Sequence, residues 1–187
     1  MPDADKHALI LRNAMRLLND AGLLLDNKRF ASAFALAVLG VEEIGKALLV
    51  SWESDRPLAK SKDRQSAHIR KQLAVAALLV GALTVQTFPG GTLDFESLDF
   101  EAATRAFNES SEGELFVLIQ SRQLDWRKQN ALYQDEEWAT SVEDTFAEEH
   151  VASVFEIAED ALEAFREDRT KEVAQAIFET TLVGDGA

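Results

Sequence analysis

Apolar positions recur with a helical period along most of the chain, and strand-like alternation is scarce, so the pattern predicts an all-α protein. Helix one is expected from about Asp5 to Asp26, with an inner stripe of Ala8, Leu11, Met15, Leu18 and Gly22 widened by Leu9, Leu17 and Leu24. Asn27-Lys28 forms a short turn into helix two, about Arg29 to Ser54, and so brief a link makes antiparallel neighbours. Asp55-Arg56-Pro57 ends that helix, because the residue before a proline is disfavoured in the α region. Helix three is expected over about Asp63 to Thr87, stopped by Pro89-Gly90-Gly91. Thr92–Gly113 reads as an acidic, variable connection with a short helix near Phe100–Asn108, broken at Ser110-Ser111-Glu112-Gly113. Helix four follows from about Glu114 to Ala131, with Leu132 and Tyr133 packing back on the bundle. Ser141 and Asp144 resemble a helix start, so helix five is expected from Val142 to Asp168, and a last helix over about Arg169–Leu182. The tail, about 183–187, is expected to fray. No repeat or composition break divides residues 1–187, so the expectation is one antiparallel bundle of five to six helices.

Within helix two the pattern is interrupted. The run from Ala33 to Val50 is apolar except for Glu42, Glu43 and Lys46. At about 100° per residue, Glu42 and Lys46 lie about 40° apart on the stripe that carries Ala35, Val38, Leu39 and Leu49. A charge on a core-facing stripe must be paired, hydrogen-bonded or chemically engaged. Glu42→Lys46 has the favourable i, i+4 polarity and Glu43 lies three residues from the same lysine. One ammonium cannot balance two carboxylates, so a further partner is required. The run from Phe30 to Trp52 is long enough to span a bilayer. Three ionisable groups near its centre argue against insertion, each at roughly 2.5–3.5 kcal/mol. The run Leu73–Phe88 is short for a span, and Met1–Lys6 lacks the features of a signal peptide, so a soluble, cytoplasmic protein without membrane contact is expected.

Charge changes the picture further. Cysteine is absent, which excludes a disulfide framework and a thiolate nucleophile, and the net charge of −14 argues against a general nucleic-acid binder. The charge is also segregated. Arg56, Lys60, Lys62, Arg64, Arg70 and Lys71 are opposed only by Asp63, whereas Asp135–Asp168 contains a single base, Arg166. The basic corner is a place where phosphate or an acidic partner would be held.

Of the three histidines, His68 is the candidate for chemistry. It opens helix three, with Arg64 one turn before and Lys71 one turn after, and so suits proton transfer beside cations that grip phosphate. A partly buried capping histidine is the alternative. His7 and His150 read as surface or edge residues. Neither a Glu-x-x-His pair nor a His-Glu-x-x-His zinc motif occurs, Gly45-Lys46 lacks a preceding phosphate loop, and no metal or other cofactor is expected. A third element, Arg127-Lys128 to Tyr133-Gln134-Asp135, places cations at a helix C-terminus followed by a tyrosine and an aspartate.

Taken in order, Glu42-Glu43-Ile44-Gly45-Lys46-Ala47-Leu48, then His68-x-x-Lys71, then Lys128 with Leu132-Tyr133-x-Asp135, make the chain similar to the AbiV family of bacterial abortive-infection proteins, part of the HEPN group of helical bundles. The resemblance runs from about Leu11 to Asp135. It implies a HEPN-like bundle, a homodimer and a role in anti-phage defence. In HEPN proteins generally, an Arg-x4–6-His motif at a dimer cleft carries metal-free RNA cleavage. Here Arg64 stands one residue too close to His68, and Ser61, Lys62 and Asp63 fill the fitting positions. Two function classes follow. One is an effector acting on RNA or translation, with His68 as acid/base, Lys71 and Arg64 on the phosphate, and Glu42, Glu43 and Lys46 orienting them. In it, Arg70, Lys128, Tyr133 and Asp135 complete the binding surface. The other is a non-catalytic module that binds a phage or host protein through its polar cluster or acidic helices. Glu42, Glu43, Lys46, His68, Lys128, Tyr133 and Asp135 are expected to converge on one cluster. The apolar face of helix three, Leu73, Ala76, Leu79, Leu83 and Val85, is expected to pair with a second copy.

Overall fold

The computed structural model describes residues 3–55, 64–87, 110, 113, 117–119, 121–133 and 145–184. The principal helices are α1 (Asp3–Asp26), α2 (Phe30–Asp55), α3 (Arg64–Thr87), α4 (Gln123–Leu132), α5 (Glu148–Ala164) and α6 (Asp168–Gly184), with no strand among the described residues. The described residues form an all-α bundle.

α2 is the central element. Ala31, Ala33, Phe34, Ala35, Ala37, Val38, Val41, Ile44, Ala47, Leu48 and Trp52 are all buried on it, and a helix apolar on every side must be enclosed. α1, α3, α4 and α5 pack around it, and α6 closes over α3. Trp52 meets Phe178 of α6 with ring centroids 5.2 Å apart, and Phe34 meets Phe146 at 5.0 Å. Ala74 to Leu79 of α3 complete the core. Residues 67–87 are long and apolar enough to cross a membrane by length and composition, and close to half of that stretch is buried in the bundle.

The α1–α2 hairpin turns through Lys28, whose φ of 58° is left-handed. Lys28 N–H donates to Leu25 O and Arg29 N–H to Leu24 O, the two bonds of a Schellman stop in a position usually held by glycine. Asn27 Nδ2 satisfies Leu23 O as well. On α1 the buried positions are Ala14, Leu18 and Ala21, while Met15 and Leu9 of the expected stripe are about half exposed. Helix α1 is therefore rotated from the sequence reading, because the alanines let it approach α2 more closely than the larger side chains would.

Two expected helices are interrupted. The stretch expected as one helix to Ala131 breaks at Arg122, where φ is 59° and the chain restarts as α4. Neither glycine nor proline marks that break. Phe146 and Ala147 are not helical, so α5 begins at Glu148, and Phe165 caps its other end. His150, read as an edge residue, accepts the Ala147 N–H on its Nδ1 at 3.1 Å and so caps α5. α6 continues to Gly184 rather than fraying from residue 183. The expected short helix at Phe100–Asn108 and the start signals Ser141 and Asp144 lie outside the described residues.

Candidate functional site at the junction of α2, α3 and α4

The site is built on a close helix crossing. A Cβ placed on Gly45 would lie 1.9 Å from the carbonyl oxygen of Lys71, so α3 lies against α2 where a side chain would otherwise stand. Lys71 belongs to the same turn of α3 as His68 and Gln72. Their crossing beside Gly45 brings both side chains to Glu42, one turn back on α2.

Glu42 is 2 % exposed and has a partner on each carboxylate oxygen. Its Oε1 accepts from Gln72 Nε2 at 2.9 Å and from Lys128 Nζ of α4 at 2.5 Å. Its Oε2 lies 2.6 Å from His68 Nδ1. Lys128, itself 1 % exposed, also pairs with Asp125 Oδ1 at 2.7 Å, one turn earlier on α4. The cluster therefore holds two carboxylates and one ammonium, and a protonated His68 would bring its charge to zero. Gln72 Oε1 is buried and accepts no hydrogen bond.

The His68 side chain is 41 % exposed, whereas that of Glu42 is 3 % exposed. The imidazole thus bridges a buried carboxylate and solvent. With Nδ1 engaged by Glu42, Nε2 is the nitrogen offered outward. Such an arrangement fixes a tautomer and a ring plane, as a proton-transfer histidine requires.

Glu42, His68 and Asp125 each bring one ligand atom within 4.8 Å of the others, a spacing that would suit a metal ion. The Lys128 ammonium stands between the two carboxylates, within hydrogen-bonding distance of both. The chain itself supplies the cation there.

Of the residues expected to converge, Glu42, His68 and Lys128 do so. Lys46 Nζ instead bonds Glu43 at 3.1 and 3.2 Å, an i, i+3 pair in which the lysine is 44 % and the glutamate 16 % exposed. Tyr133 is the C-cap of α4 and is 70 % exposed, and Leu132 is likewise exposed rather than packed back. Asp135 lies outside the described residues, as does the side chain of Arg64. Lys71 and Arg70 are half-buried on α3. Gln72 and Asp125 were not singled out from sequence. The signal was present in both cases: Gln72 stands four positions after His68, on the same helix face, and Asp125 lies three before Lys128.

The expected dimer face of α3 is largely taken up within the chain. Ala76 and Leu79 are core residues and Leu73 packs against the core, so a second copy is not needed to cover them. Leu83 and Val85 line a cavity of about 550 Å³ shared with Asp160 and Glu163 of α5 and Thr170 of α6. This cavity begins at Leu79, roughly 10 Å along the helix axis from Gln72, and is separate from the polar cluster.

The family model for AbiV matches residues 4–163, a span that contains every member of this cluster. The chain belongs to the AbiV family. Membership in that HEPN group associates it with abortive infection, the anti-phage response. No curated protein and no solved structure matches this AbiV-family chain.

Proposed function

We propose that this protein is an abortive-infection effector that arrests growth by acting on RNA, with His68 as the proton-transfer group. The observation that carries the reading is the 2.6 Å contact between the exposed imidazole and the buried Glu42 carboxylate. In this reading His68 Nε2 takes the proton from a ribose 2′-hydroxyl as that oxygen attacks the adjacent phosphorus. The P–O5′ bond breaks, and the proton is passed to the departing 5′-oxygen. Lys71, one turn along α3, and Arg64, one turn before, are assigned to the phosphate charge. Lysine grips phosphate as a point charge rather than as a bidentate fork, so cleavage should be slower than with a properly spaced arginine.

The test is incubation of the purified protein with RNA in the presence of a chelator. Cleavage should leave 2′,3′-cyclic phosphate and 5′-hydroxyl ends, and His68→Ala should reduce it by about 10²–10⁴-fold, the usual worth of a general acid/base. A second reading is favoured by a different observation. Trp126 and Tyr133 of α4 are 58 % and 70 % exposed, as an interaction module would present them. Growth arrest that survives His68→Ala and is lost in Trp126→Ala would select that reading.

A further inference from the structure

The two acceptor oxygens of Glu42 are not equivalent. Oε1 is held by Lys128 and Gln72, and Oε2, among the described residues, by His68. A carboxylate turns about its Cγ–Cδ bond unless its oxygens are separately fixed, and here Oε1 is fixed by the charged donor Lys128 of α4 together with the neutral Gln72 of α3. Lys128 is buried at 1 % exposure, and its ammonium is ion-paired with Asp125 Oδ1 of the same helix at 2.7 Å. Its ammonium sets the plane of the carboxylate, and that plane sets the ring of His68.

We infer that Lys128, anchored by Asp125, is a positioning residue that orients His68 through Glu42. The chain of contact runs from Asp125 to Lys128, to Glu42, and to His68, across α4, α2 and α3. The inference extends the reading of His68 as a proton-transfer group and rests on it where activity is concerned. The orientation itself can be read without any activity.

The experiment uses the full-length chain labelled with 15N and follows the histidine ring nitrogens by long-range 1H–15N NMR. Three histidines are present, and His68→Gln assigns the signal of interest. The wild-type protein should show His68 as a hydrogen-bonded Nδ1–H species with a slowly exchanging, downfield ring proton. Lys128→Met should abolish that proton signal. Where RNA is cleaved, it should lower kcat by about 10²-fold with little change in KM, as misplacement of a reacting group does.

Lys128→Met leaves Glu42 buried without its ammonium, so the double variant Glu42→Gln/Lys128→Met separates positioning from folding. It removes both charges and should melt higher than Lys128→Met alone. A purely structural lysine predicts that folded Lys128→Met keeps the wild-type signal and kcat; the inference predicts that it loses the signal and, where RNA is cleaved, kcat. A downfield Nδ1–H proton that persists unchanged in folded Lys128→Met overturns the inference, whatever the activity. Loss of the signal in a protein that never cleaved RNA would uphold the positioning and refute only the catalytic reading.

Discussion

Gly45→Ala is expected to do the opposite of what a helix-interior glycine normally does. Replacing glycine by alanine in a helix ordinarily stabilises by up to about 1 kcal/mol. Gly45 has no positive φ to lose, so the backbone would accept the change. The obstacle is Lys71, whose carbonyl oxygen would be 1.9 Å and carbonyl carbon 2.7 Å from the new methyl. An ordinary C···O approach is about 3.3–3.6 Å, so α3 must withdraw by roughly 1.5 Å. A shift of that size would carry the bonds from His68 and Gln72 to Glu42, now 2.6 and 2.9 Å, beyond hydrogen-bonding range. Overpacking costs about 1–3 kcal/mol and each lost bond to a charged group about 1.5–3 kcal/mol. After the helix gain and partial relaxation, a net loss of about 3 kcal/mol is expected. For a domain of this size that lowers Tm by roughly 6–12 °C. Thermal melts of Gly45→Ala beside Gly22→Ala give the assay its control, since a Cβ on Gly22 meets only Phe155 at an ordinary 3.9 Å. A Gly45→Ala protein that melts at or above the wild type, or as Gly22→Ala does, refutes the tight crossing.

Three further outcomes follow from the same geometry. Lys128→Met should lower stability by about 3–5 kcal/mol in chemical denaturation, because Glu42 is left buried with one cation fewer. Lys46→Met should cost about 1 kcal/mol or less, clearly below Lys128→Met, since the lysine of its i, i+3 pair with Glu43 is 44 % exposed although the glutamate is 16 % exposed. At the start of α6, the hydrogen bond and charge of Lys171 hold the Asp168 carboxyl below its ordinary value. A lowered folded-state value means that this contribution is present in full above the unfolded value and is lost as pH falls through the folded one. Asp168→Asn should therefore lower the neutral plateau of the stability curve measured by pH-dependent melting slightly and flatten its acid limb, the two curves meeting at low pH.

The helices were legible in sequence because a period of about 3.6 residues is written in every turn. Their ends were not legible where an ordinary residue adopts a left-handed φ, as at Arg122. Glu42 stood out as a charge on an apolar stripe, and its need for a partner beyond Lys46 followed from charge counting. Which lysine answered that need did not follow. Lys128 is 86 positions away, and only the packing of α4 on α2 selects it over Lys46, four residues distant. Gly45 was visible as part of a motif, but its role depends on where α3 crosses, which no local pattern encodes. The apolar face of α3 was legible as apolar, but not that Ala76 and Leu79 of it are buried within the chain, where α6 packs on α3 from the far end of the sequence.

The central claim is that His68, held by Glu42, performs proton transfer on RNA. The most direct measurement is the rate of RNA cleavage by the purified wild-type protein, His68→Ala and Glu42→Gln, each verified as folded, with chelator present throughout. The account predicts cleavage by the wild type, a fall of about 10²–10⁴-fold in His68→Ala, and a smaller fall in Glu42→Gln, whose amide oxygen still accepts from Nδ1. RNA left intact by the wild-type protein, or cut equally fast by folded His68→Ala, would contradict it.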